Sequence, residues 1–199
     1  AESGLIVFDS SFVGTRRLSK DDPVYQIYAA QMAQADQLAQ SFRMSFYINH
    51  HPILGLAPKP MPTGVSFYPG NAALQSVLEQ VRPTTLFPTQ VQALLAGHVH
   101  VFQMASFDSD HPTQFISGHG GSWVEDPNLS DLPPGSEAAP HLPITHFTTT
   151  NDYGFMVMRR DQDQWRYEAR NRKGEIRARC DLIDRVGQCS PDHLNNITK

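Results

Sequence analysis

The chain has 199 residues, of which 40% are hydrophobic and 18% charged, and a formal net charge of −4. That length suffices for one ordinary domain with a real core, and the charge offers no electrostatic case for binding nucleic acid or an anionic membrane. No apolar run approaches the ~18 residues of a spanning helix, and the start Ala1-Glu2-Ser3-Gly4 shows no basic region followed by an apolar core, so no signal peptide is visible.

In chain order, the apolar run Leu5 to Phe8 predicts a buried strand. Asp22-Pro23 predicts a helix start, with Asp22 as N-cap and Pro23 at the first helical position. Val24, Ile27, Tyr28, Ala35, Leu38 and Phe42 then recur at helical spacing, so an amphipathic crossover helix is expected to end near Ser41. Met44 to Ile48 predicts the next strand. A strand–helix–strand unit of this kind favours a right-handed crossover and a parallel pair.

Residues 52–70 are rich in Pro and Gly and include Pro58-Lys59-Pro60-Met61-Pro62, which predicts an irregular loop. Loops beyond strand ends often carry binding specificity, so this one reads as the rim of a cleft. Asn71 caps a short helix running to Val81, stopped by Pro83, and a strand follows from Val91. Phe102 to Phe107 and Gln114 to Ser117 predict adjacent antiparallel strands, and residues 124–145 a second irregular insertion. Tyr153 to Arg159, Gln164 to Ala169 and Glu175 to Cys180 predict a closing meander, with a frayed tail after Cys189. No internal repeat and no linker long enough to split the chain is present.

The two cysteines, Cys180 and Cys189, read either as free thiols of a reducing cytoplasm or as a disulfide closing a small loop. The disulfide is the favoured reading, and it implies a periplasmic or secreted setting. Asn128-Leu129-Ser130 and Asn196-Ile197-Thr198 match glycosylation acceptors, a short pattern that often arises by chance.

The chemistry concentrates in the nine histidines. The strand Met44 to Ile48 ends in Asn49-His50-His51-Pro52, and the run Val91 to Ala96 ends in Gly97-His98-Val99-His100. In an extended segment residues i and i+2 project to one side, so His98 and His100 are expected to share a pocket, with Gly97 permitting a close backbone approach. Two strands each ending in a histidine pair predict one metal centre. His111, His141, His146 and His193 read as ordinary hydrogen-bonded histidines. His119, inside Ser117-Gly118-His119-Gly120-Gly121, reads as a turn residue before a cleft residue.

These motifs resemble the calcineurin-like metallophosphoesterase family, which includes the purple acid phosphatases. His50-His51-Pro52 is similar to its His-x-Pro motif and Gly97-His98-Val99-His100 to its Gly-His-x-His motif, in the family's order and over about residues 4–160. The resemblance implies an α/β fold, a sandwich of two mixed sheets flanked by helices. It implies that residues 1–185 are the C-terminal part of such a domain and 186–199 a tail. The family's earlier Asp-x-His, Gly-Asp-x-x-Asp and Gly-Asn-His motifs do not occur, so the fold would lack its N-terminal part.

By the same resemblance, His50 and His98 would bind one metal and His100 the other, in a dinuclear site of Fe, Mn or Zn. His51 would contact the leaving group or the phosphate as the catalytic residue, or simply pack. The implied reaction is hydrolysis of a small-molecule phosphoester, with two cations polarising the phosphoryl group. Two neighbouring dications require carboxylate charge between them, and the local sequence supplies none: Asp9 is the nearest candidate, while Asp108 and Asp110 read as turn residues. Activity would therefore depend on missing N-terminal residues. The alternative is a non-catalytic or degenerate member binding at most one metal. A half-domain would also leave a sheet edge and an apolar face open, so self-association is expected.

Overall fold

A computed structural model describes residues 2–59, 66–121, 123–125, 132–162 and 164–191. Its elements are β1 (Ser3–Val7), α1 (Pro23–Ala39), β2 (Met44–Asn49), β3 (Ala57–Lys59), β4 (Ser66–Tyr68), α2 (Ala72–Val81), β5 (Val91–Ala96), β6 (Phe102–Ser106), β7 (Thr113–Ser117), β8 (Glu137–Ala139), β9 (Leu142–Pro143), β10 (His146–Thr150), β11 (Gly154–Asp161), β12 (Gln164–Asn171), β13 (Ile176–Ile183) and β14 (Val186–Ser190). Part of the Pro58–Pro62 run, both glycosylation patterns, His193 and most of the expected tail lie outside the described residues.

Six strands form one mixed sheet in the order β1-β2-β5-β7-β6-β10, parallel from β1 through β7 and antiparallel beyond. A second sheet, β11-β12-β13-β14, is a meander. It is wholly antiparallel rather than mixed, as short hairpin links dictate. Strand alternation builds a three-layer molecule. Tyr47, Leu94, Ala105 and Ile116 share one core with Tyr28 and Met32 of α1 and Leu74 and Val77 of α2. Their neighbours Phe46, Ala93, Met104 and Phe115 face the other way, onto Tyr167, Ala169 and Leu182 of the meander. The Phe115 and Tyr167 rings stack at 3.9 Å between the sheets.

The helix starts follow their caps. Asp22 accepts a hydrogen bond from Val24 N with Pro23 beside it, and Asn71 accepts one from Leu74 N. The buried stripe of α1 differs from the expected one. Tyr25, Tyr28, Met32, Ala35 and Ala39 face the sheet, whereas Ile27 and Leu38 are about half exposed. Asp36 is also buried there, held by Tyr47 Oη at 2.9 Å and Arg82 Nε at 2.8 Å.

The C-terminal boundary also differs from the expectation. Residues 186–190 form β14, and Cys189 is bonded to Cys180 across the β13–β14 pair. The disulfide is of the kind that persists in oxidising compartments. No helix among the described residues is long and apolar enough to cross a membrane. At the opposite side, β1 is the edge strand of the larger sheet and leaves Leu5 and Val7 exposed at 64% and 72%.

Candidate metal centre

Adjacent parallel strands set the site. β2 and β5 pair in parallel with Asn49 opposite Ala96, so the chain leaves both strands at one edge of the sheet. His50 and His51 follow β2 directly, and Gly97-His98 follows β5. Gly97 N donates to His50 O at 3.2 Å and ties the two exits together. The edge beyond the carboxyl ends of parallel strands is where open α/β sheets bind ligands.

Three imidazoles converge there. His50, His51 and His98 each offer a nitrogen, and these atoms lie within 4.8 Å of one another. His98 Nδ1 and His50 Nε2 are 3.1 Å apart, and the His51 and His98 ring centroids 4.2 Å. Two imidazole nitrogens at about 2.05 Å from one tetrahedral ion stand about 3.3 Å apart. The donor set therefore fits a single ion once side-chain rotation closes the widest nitrogen separation, 4.8 Å, by about 1.5 Å. Burial, followed by the charge of neighbouring histidines, pushes the His51 and His98 imidazoles below the usual histidine range. They are neutral, ligand-competent bases at neutral pH. His50 and His98 are exposed at the surface, with His51 half-buried between them, so one side of the group is open. Among the described residues no Asp, Glu or Cys joins the group.

Ser10, a residue the sequence reading passed over, organises the pair. It is 1% exposed, and its Oγ accepts hydrogen bonds from both His50 N and His51 N at 3.0 Å. Asn49 Nδ2 donates to His51 O at 2.5 Å, while its buried Oδ1 has no hydrogen-bond partner among the described residues. A serine three residues past β1 carries no sequence signal for such a role, since the contact spans 40 residues. Asp9 lies outside the group: it is exposed and accepts from Ser11 N and Oγ, a local turn.

His100 is not brought into the group. The premise that β5 continues as an extended segment fails, because residues 98–101 form bends and His98 has φ 66°, in the left-handed region. Strand alternation therefore does not apply to His98 and His100. The His100 ring meets Trp123 edge-on at 4.4 Å instead. Gly97 is likewise not needed for close approach, since a Cβ there would meet nothing within 4 Å. The tight contact falls at Gly118, where a Cβ would stand 2.0 Å from Val99 O. His119 is 1% exposed and packs near Phe102, with both ring nitrogens lacking a hydrogen-bond partner among the described residues.

The segment after the histidine pair borders a cleft, but its first part is buried rather than an open loop. Pro52 to Leu56 lies inside the molecule, and three buried glutamines replace its missing strand partners. Gln114 Oε1 accepts from Ile53 N and Leu54 N at 3.0 and 3.1 Å. Gln103 exchanges hydrogen bonds with Leu56 N and O, and Gln75 donates to Ile53 O. Every backbone group so buried needs a partner, which these side chains supply.

No protein-family model matches the sequence, and no curated protein matches it significantly. Among solved structures it is similar to GAP50, the anchor in the inner membrane complex of Plasmodium. The TM-score is 0.55 at 14% identity, covering 89% of this chain and 48% of that one. It is also aligned with PhoD at a TM-score of 0.49 and 10% identity, over 84% of this chain and 34% of that one. The likeness is one of fold. The chain spans about half the length of the GAP50 chain and a third of PhoD.

Proposed function

We propose that this chain carries part of a metal-dependent phosphoester hydrolase centre in which His50, His51 and His98 hold one ion. The observation that carries the reading is the convergence of the three imidazoles from two neighbouring strand ends. A bound divalent ion supplies Lewis-acid polarisation of a phosphoryl oxygen and lowers the pKa of water. Partial desolvation and the neighbouring histidines favour the neutral form of His51 and His98, Ser10 fixes the backbone that presents His50 and His51, and the exposed side at His50 and His98 admits substrate. In the dinuclear form of this proposal His100 and carboxylates N-terminal to Ala1 complete a second site. His51, on this reading, acts as a ligand facing the substrate cleft rather than as a free acid.

The absence of a carboxylate from the group, among the described residues, favours a second reading: a non-catalytic or degenerate scaffold that binds at most one metal. Calorimetric titration of the chain with Zn²⁺ or Mn²⁺ tests the metal-binding step. One site, lost in His98→Ala and kept in His100→Ala, supports the triad; no binding refutes the metal-dependent reading. Metal-dependent hydrolysis of an aryl phosphate by a longer chain then separates enzyme from scaffold. The setting proposed is periplasmic or secreted, supported by the disulfide. Self-pairing through the open β1 edge is part of the same proposal, and a sharp monomer boundary in sedimentation contradicts it.

A further inference from the structure

We infer that the cleft beside the three imidazoles seats the organic half of the ester, and that this half is a flat apolar group of one or two aromatic rings. The inference rests on the phosphoesterase reading for the phosphoryl end alone. His51 and His98 both line one cleft of about 550 Å³, so an occupant of it touches the proposed metal ligands. That size is ordinary for a small-molecule site. Its other walls are mainly apolar, built from Pro52, Leu56, Ala57, Tyr68, Pro69 and Val99, with Thr15 and Asn71 as the polar exceptions. Among the described residues no Asp, Glu, Lys or Arg lines it, so its walls suit an apolar group better than a polyanion.

The cleft is built rather than incidental. Its floor, Pro52 to Leu56, is pinned by the buried glutamines Gln75, Gln103 and Gln114. Its opposite wall is drawn close at Gly70, where a Cβ would fall 1.9 Å from Ile53 O. Tyr68 lines the cleft with a half-exposed ring, and Lys59 Nζ lies over one of its faces, 5.3 Å from the centroid. Asn71 and Ala72, at the start of α2, also line the cleft. The N–H groups of Ala72 and Ala73 have no acceptor within the helix, and this end of the helix favours an anionic group near the imidazoles.

The test uses the chain with and without Zn²⁺ and follows binding of 1-naphthyl phosphate, methyl phosphate, inorganic phosphate and 1-naphthol by calorimetry. The naphthyl ester is expected to bind the loaded chain at least about tenfold more tightly than the methyl ester. 1-Naphthol is expected to bind the metal-free chain in competition with it. Ala57→Trp, which fills the cleft, and Tyr68→Ala, at a half-exposed position, each reduce the preference to less than about threefold and leave inorganic phosphate within about twofold. Equal affinity for the two esters, or a preference that survives both substitutions, overturns the inference. Failure of the phosphoesterase reading has a different signature: naphthol still binds the metal-free chain, but Zn²⁺ adds no affinity for inorganic phosphate. That result refutes the ester assignment and upholds the aromatic one.

Discussion

Replacing Ser10 by alanine removes one oxygen and leaves two donors without an acceptor. His50 N and His51 N both point at Ser10 Oγ from 3.0 Å, in a site where Ser10 is 1% exposed. A net hydrogen bond contributes about 1 kcal/mol, and a buried donor left unmade costs about 1–3 kcal/mol. Because His50 reaches solvent, water rescues part of the loss, and about 2–4 kcal/mol is expected for Ser10→Ala in all. With a urea slope of about 2 kcal/mol/M, the unfolding midpoint moves down by about 1–2 M. The same oxygen holds the backbone that presents two of the three ring donors. Zn²⁺ affinity is therefore expected to fall by about 10–100-fold, as it does when support behind a metal ligand is lost. Urea denaturation monitored by tryptophan fluorescence, paired with a Zn²⁺ titration under native conditions, reads both. A midpoint within about 0.2 M of the parent and an affinity within about twofold would show that Ser10 does not organise the pair.

Three further outcomes follow from the same geometry. Gln114→Ala strips the acceptor from Ile53 N and Leu54 N inside the core and is expected to cost about 3–5 kcal/mol, whereas Gln92→Ala, whose one bond to Thr89 O is exposed, stays within about 0.5 kcal/mol; equal losses refute the glutamine scaffold. Gly118→Ala drives a Cβ against Val99 O and is expected to lower stability by more than about 3 kcal/mol, while Gly97→Ala meets nothing and stays near neutral, as thermal denaturation will show. Burial pushes the His119 imidazole below the ordinary histidine range. The unfolded chain therefore takes up a proton there before the folded one does, and stability falls as pH drops below about 6.5, levelling once the folded pKa is passed. His119→Phe removes up to about 1.4 kcal/mol per pH unit of that slope, and identical slopes from pH 7 to 5 in both proteins refute the assignment.

Local patterns were the legible part. Asp22-Pro23 and Asn71 marked both helix starts because a cap is settled within a few residues. The strands running to Ile48 and Ala96 were visible as apolar runs bounded by turn residues, and so was the parallel pairing of β1 with β2. The face of α1 was misjudged at Ile27 and Leu38, since periodicity alone does not say which of two apolar stripes meets a sheet. His98 and His100 were paired by strand alternation, and a left-handed residue at His98 broke that rule. β14 is short and polar, and it gained its place from β13 and the disulfide.

By itself the sequence determined both helices and the strands β1, β2, β5, β6, β7 and β11 to β13, where the histidines collect, and that two cysteines lie close enough along the chain to meet. These are properties of neighbours a few residues apart, where propensity, capping and alternation act. Tertiary structure alone decided that His51 rather than His100 joins His50 and His98. It also decided that Ser10 braces them, and that glutamines from α2, β6 and β7 line the buried turn beneath the cleft. Each of those choices depends on groups 20 to 60 residues apart meeting in a closed interior. There an unmade hydrogen bond is expensive and every polar group must find its partner.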